Sequence, residues 1–305
     1  MFPVCLALLG LGLGWRNAAD ILPLAHEIGD LFLGGASAFF LYFLAMYLFK
    51  VLARPGVILE ELRNPPARAG LAAAAMAMML LAAALIPLGF SVPQVWWTGV
   101  VMQIVASGLG CWAIWTDPPE KRQFTPFQYL TFVGPVVGPV AGMQLGYVWE
   151  SIALIYAALI AYMIITAGLL VNLRPRSMPV TLRPSLVIFL APNCLFGIGF
   201  ALLGHDAGFL LFYWIATVTA AGFLLIAPWI VRGPWTPTWA ALTFPVAAFL
   251  QLQVIALSRG MGLVAELSVY GALLVGTPLI SGLAYKSLLT WVTGELAAKS
   301  GAVRA

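Results

Sequence analysis

Residues 69–90 read AGLAAAAMAMMLLAAALIPLGF, with no charged side chain from end to end. A helix rises 1.5 Å per residue, so such a run matches the roughly 30 Å hydrocarbon thickness of a bilayer. Backbone that faces lipid must satisfy its own hydrogen bonds, which makes the run a membrane-crossing helix.

The pattern recurs along the whole chain. Apolar runs bounded by charge, proline or glycine fall at roughly 1–19, 27–53, 68–90, 94–116, 127–147, 149–172, 184–204, 207–231, 237–258 and 264–292. Hydrophobic residues make up 62% of the 305 and charged residues 9%, against roughly a quarter charged in a soluble domain. The expected fold is an all-α integral membrane protein: a single transmembrane domain over 1–305, with ten helices joined by short loops. Each odd-numbered helix is followed by a return helix, so the chain reads as five helical hairpins. The loops leave no room for a soluble catalytic domain.

The first run is short, about fourteen apolar residues before Trp15 and Arg16, against the roughly twenty a crossing needs. It lacks a basic leader and an A-x-A cleavage site, so it reads as a membrane helix rather than a secretion signal.

Charge gives the orientation. One set of helix ends carries Lys50, Arg54, Arg63, Arg68, Lys121, Arg122, Arg174, Arg176, Arg183, Arg232, Lys286, Lys299 and Arg304; the other carries only Arg16 and Arg259. Basic loops stay in the cytoplasm, which places both termini there, in the cell (inner) membrane. The net charge of +4 is thus a topology signal, and no nucleic-acid partner is expected.

Other chemistries find little support. Cys5, Cys111 and Cys194 are far apart in apolar runs, and His26 and His205 fall in connecting segments, so neither a disulfide framework nor a metal site is expected. Gly10, Gly12 and Gly14 imitate part of a dinucleotide fingerprint without its strand or its third glycine. No catalytic residue, enzyme activity or cofactor is expected.

Internal prolines prefer the odd-numbered helices: Pro87, Pro135, Pro139, Pro192 and Pro245. A proline removes one helical hydrogen bond and kinks the chain. Its recurrence in four of five odd helices points to a common inner ring. The fifth helix adds Gly134, Gly138, Gly142 and Gly146, four residues apart. Such a stripe serves either close packing or clearance beside a pore. No ionisable residue lies near mid-span, which argues against a proton relay and against an acid-lined cation path. What remains at that depth is weakly polar: Gln103, Ser107, Thr131, Asn193, Thr243, Gln251 and Gln253. Their donors could partly replace an anion's water, or could bond neighbouring helices, the commoner role.

Several stretches resemble one known family. Trp239–Pro245, WAALTFP, is similar to the W-A-x-T-F-P stretch of the tellurite-resistance/dicarboxylate transporter (TDT) family, which includes bacterial TehA and the plant slow anion channel. Phe2–Trp15 resembles its first helix, with Cys5 where TehA has proline, an alignment that places further residues ahead of Phe2. Leu190-Ala191-Pro192 resembles the seventh helix, and Tyr285-Lys286 the end of the tenth. The resemblance implies five hairpins around a quasi-fivefold central pore, with the odd helices inside and the even helices outside. It implies a homotrimer in membrane lipid with one pore per subunit, and a gate at Phe244, which otherwise reads as an aromatic packed beside a kink. Pro135, Pro139, Pro192, Asn193, Thr243, Pro245, Gly134, Gly138 and Gly142 would line or kink the pore.

The expected function is a gated channel or uniporter for small anions. The alternative is a carrier of C4-dicarboxylate, sulfite or tellurite-related oxyanions.

Overall fold

The computed structural model describes residues 1–118, 122–172 and 178–296. Lys121, Arg174, Arg176, Lys299 and Arg304, all counted in the charge bias, lie outside the described residues. The first half of the chain forms α1 (Phe2–Ala19), α2 (His26–Ala53), α3 (Val57–Leu62), α4 (Pro65–Leu88), α5 (Pro93–Thr116) and α6 (Tyr129–Gly142). The second half forms α7 (Val148–Asn172), α8 (Val180–Leu202), α9 (Asp206–Leu225), α10 (Ala227–Ile230), α11 (Pro237–Ser258) and α12 (Leu263–Val292). Among the described residues nine of these are long and apolar enough to cross a membrane, and α6 is a shorter apolar helix. The chain is an all-helical, multi-pass membrane protein.

Local chemistry sets the boundaries. The run that opened the sequence becomes α4. It starts at Pro65-Pro66, where a missing N–H is not needed, and stops at Gly89 with φ 86°, a left-handed cap that favours glycine. The eighth span, expected over 207–231, is divided into α9 and α10 just ahead of Pro228. The segment between the second and third spans, read as loop, contains α3.

Packing follows the expected pairing. The hairpins α1–α2, α4–α5, α6–α7, α8–α9 and α11–α12 each pack along their length. In the odd-numbered spans α1, α4, α8 and α11, 67–83% of the apolar core is buried. In α2, α5, α7, α9 and α12 that share is only 22–28%. The odd set therefore lies inside and the even set faces lipid, with Leu52, Leu170, Leu225 and Leu274 exposed on it. Contacts run from α1 to α4, α4 to α6, α6 to α8, α8 to α11 and α11 back to α1.

α1 explains its own glycines. A Cβ on Gly12 would lie 2.8 Å from the Leu33 side chain of α2. One on Gly14 would lie 2.6 Å from Leu250 of α11, and one on Gly10 3.2 Å from Ala247. The three glycines let two neighbours approach from different sides, which is helix packing and not phosphate binding.

The kinked helices depart most from the expected regular spans. α6 is a π turn over Tyr129–Val133, a 3₁₀ turn over Gly134–Val137 and a short α turn from Pro139 to Gly142. It covers less than the expected 127–147, and Gly146 lies beyond it with φ 86°. The four glycines therefore do not form one face of a regular helix. α8 and α11 likewise begin as 3₁₀ helix, over Val180–Phe189 and Pro237–Leu242, and widen to α at Leu190 and Thr243. Pro139, Pro192 and Pro245 each fall in the first turn of the α portion, where the lost N–H costs least.

Candidate functional site: an apolar cavity lined by Phe244

The inner helices enclose a cavity of about 440 Å³. Four of the five contribute the N-terminal half of their length, Phe2 to Leu6 of α1, Pro66 to Met76 of α4, Tyr129 to Val136 of α6 and Pro237 to Pro245 of α11, while α8 contributes its middle, Ile188 to Leu195. The five helices thus run in the same direction around it. Oriented peptide units place about half a positive charge at a helix N-terminus. Four such ends, those of α1, α4, α6 and α11, lie in the lining of this cavity.

Its wall is mostly hydrocarbon, with Leu6, Met76, Val133, Leu195 and Phe244 in it. The deepest lining residues of α11 are Phe244 and Pro245. Phe244 is 6% exposed, and its ring lies over Gly10 of α1, where a Cβ would be 3.7 Å from the ring edge. A Cβ at position 10 would be in ordinary van der Waals contact with the ring; the tighter neighbour is Ala247, at 3.2 Å.

The expected site residues divide into two groups. Gly134, Pro192, Phe244 and Pro245 line the cavity. Gly138 and Gly142 instead face the outer helices: a Cβ on Gly138 would lie 2.6 Å from Leu154, and one on Gly142 2.5 Å from Ser151 Oγ and 2.7 Å from Trp96. Gly134 also backs onto Gln103, where a Cβ would lie 2.7 Å from Nε2. Of the two readings of the glycine stripe, close packing describes these contacts. Pro135 and Pro139 set the breaks in α6 behind the wall.

The mid-depth polar side chains are bound to helices. Pro135 has no N–H for the carbonyl of Thr131, four residues back, and that carbonyl accepts instead from Gln103 Nε2 at 2.9 Å and Ser107 Oγ at 2.6 Å. Asn193, fully buried, donates through Nδ2 to the Phe189 carbonyl at 2.8 Å and accepts from Tyr162 Oη at 2.7 Å. Thr243 Oγ1 donates to the Ala240 carbonyl at 2.7 Å, and Gln251 Nε2 to that of Gly10 at 3.2 Å. Asn193 and Thr243, read as pore-lining from sequence, are not in the cavity wall, and their donors are spent on the nearby Phe189 and Ala240 carbonyls.

Sequence reasoning missed the charges. Lys50 of α2 and Glu61 of α3 are the charged side chains in the described lining, and they pair at 2.7 Å. Arg68 is 3% exposed and lies behind the wall against α5, where a Cβ on Gly110 would be 3.3 Å from it. Its Nη1 donates to the Leu62 carbonyl at 3.0 Å, and its Nε has no hydrogen-bond partner. The only cue to this cluster was VILEEL at 57–62, a short helical run between Pro55-Gly56 and Asn64-Pro65.

A family model described as voltage-dependent anion channel matches residues 1–284. No curated protein matches the chain.

Proposed function

The chain belongs to the voltage-dependent anion channel family, and on that basis we propose that it is a gated, anion-selective channel whose gate is the Phe244 ring. The family acts in anion transport across membranes and not in catalysis. The observation that carries the finer reading is an apolar cavity lined by the N-terminal ends of α1, α4, α6 and α11, with the buried Phe244 ring in its wall.

The electrostatics favour anions without gripping them. Helix N-termini and the buried Arg68 guanidinium supply positive potential, which low-dielectric walls focus into the cavity. The wall itself offers few donors, so a small anion is attracted and then released, as conduction requires. A bulky apolar ring at the narrow end stops ions by steric block and by dewetting. Pro192, Pro245 and Gly134 shape the lining beside it, while Pro135, Pro139, Asn193, Thr243, Gly138 and Gly142 hold the kinked helices in place. The same reading puts the cavity mouth on the cytoplasmic face of the inner membrane, both termini on that side, and three copies in a homotrimer with one quasi-fivefold pore each.

Chloride currents through wild type and Phe244→Ala in planar bilayers test this. The variant should conduct at least about tenfold more, since a barrier lower by only about 1.4 kcal/mol gives that factor. Equal currents would refute the gate, and a reversal potential that follows the cation gradient would refute the selectivity. Saturable flux tied to a proton gradient would point to the carrier reading.

A further inference from the structure

Glu61 sits on α3, a helix of six residues that the chain inserts between two membrane spans. Its carboxylate is 4% exposed and doubly engaged. Lys50 Nζ donates to Oε1 at 2.7 Å, and Tyr47 Oη donates to Oε2 at 2.9 Å. All three residues line the vestibule.

Stability alone accounts poorly for this pair. Burying an ammonium and a carboxylate costs several kcal/mol each before their attraction repays it, and apolar residues of the same size often serve the fold better. Chemistry describes the arrangement more directly. An ammonium and a phenolic O–H converge on one oxyanion inside a cavity, with one charge-assisted hydrogen bond to each oxygen. That is an anion-binding site, and its occupant is a side chain. The carrier of that side chain is anchored next door, because Arg68 Nη1 holds the Leu62 carbonyl, one residue beyond Glu61.

We propose that Lys50 Nζ and Tyr47 Oη form an entry site for the permeating anion, and that Glu61 is a tethered competitor occupying it. The ligand class is a small monovalent anion able to accept from an ammonium and a hydroxyl, such as a halide or a simple carboxylate. When the anion binds, the Glu61 carboxylate leaves Lys50, and the local anion concentration sets how often the exchange occurs. This rests on the reading of the vestibule as an anion path.

The test measures chloride current against chloride concentration for wild type, Glu61→Gln, Lys50→Arg and the double variant Lys50→Gln/Glu61→Gln, with thermal unfolding in detergent as the check on folding. Removing the competitor should lower the half-saturating chloride concentration about three- to tenfold, the scale of one ordinary net hydrogen bond. The double variant should lose that gain, because the ammonium that receives the anion is gone. Lys50→Arg keeps the charge but can grip Glu61 with two donors, so it should raise the half-saturating concentration. An unchanged value in folded Glu61→Gln, or loss of its current, would overturn the proposal. Should Glu61→Gln fail to fold, Lys50→Arg decides: a rise supports the tethered competitor, and no change or a fall overturns it. A wild type without anion current would remove the channel reading and this proposal together; a conducting wild type with an unaltered Glu61→Gln would remove this proposal alone.

Discussion

Replacing Asn193 with leucine separates the structural from the conductive role of the kinked helices. Leucine fills a similar volume but removes both a donor and an acceptor at a fully buried position. The Phe189 carbonyl loses its 2.8 Å bond, and Tyr162 Oη loses its 2.7 Å acceptor. A buried polar group left without a partner costs about 1–3 kcal/mol, whereas interhelical hydrogen bonds in membranes average only about 0.6 kcal/mol by double-mutant cycles. Tyr162 keeps Thr166 as a neighbouring hydrogen-bond partner, which softens its loss. A total near 2 kcal/mol is therefore expected. Adding Tyr162→Phe should recover part of it, since the hydroxyl that lost its Asn193 acceptor is then gone. The measurement is reversible denaturation in detergent for the four corners of the cycle. A cost below about 0.5 kcal/mol for Asn193→Leu, or a further loss on adding Tyr162→Phe, would refute the view that this asparagine exists to satisfy the kink.

Two other sites give expectations of opposite kind. Gly142→Ala should destabilise by about 1–3 kcal/mol, because the new methyl would lie 2.5 Å from Ser151 Oγ and 2.7 Å from Trp96 in a packed interior. Gly34→Ala, on the open face of α2, meets nothing within 4 Å and should instead stabilise by up to about 1 kcal/mol; unfolding curves of the pair would show it. Arg68→Met should leave stability unchanged or raised, since among the described residues this buried guanidinium has one carbonyl partner and no ion pair. Its single-channel conductance should fall at low ionic strength and approach the wild-type value near about 1 M salt, where the screening length is only about 3 Å. An equal deficit at every salt concentration would show that Arg68 acts on shape and not on potential.

Hydropathy made the spans legible, and the prolines made the inner ring legible. Both are properties of single segments: a run such as 69–90 must lie in lipid whatever its neighbours are, and Pro192 or Pro245 distorts its own helix. The polar residues were different. Whether Asn193 faces a pore or a helix depends on its partners from other turns and helices, the Phe189 carbonyl and Tyr162 Oη, which no single segment reveals. The glycine stripe of α6 failed as a face because Pro135 and Pro139 break the periodicity that spacing by four assumes. The burial of Glu61 and Arg68 was invisible because α3 is too short to announce itself by pattern, and charged residues at a span's end normally reach water.

Thr243 alone separates the six-residue 3₁₀ segment Pro237–Leu242 from Phe244, so a change in the segment's winding would work as a screw. A 3₁₀ helix advances about 2.0 Å and turns about 120° per residue, and an α-helix about 1.5 Å and 100°. Rewinding those six residues to α geometry would draw Thr243 about 3 Å along the axis and turn it about 120°. The aromatic ring would swing away from Gly10 with its own rotamer unchanged. Spin labels at Thr238 and Leu257 would register that travel as a shortening of about 3 Å between conducting and resting conditions. A fixed separation would refute rewinding as the motion of the proposed gate.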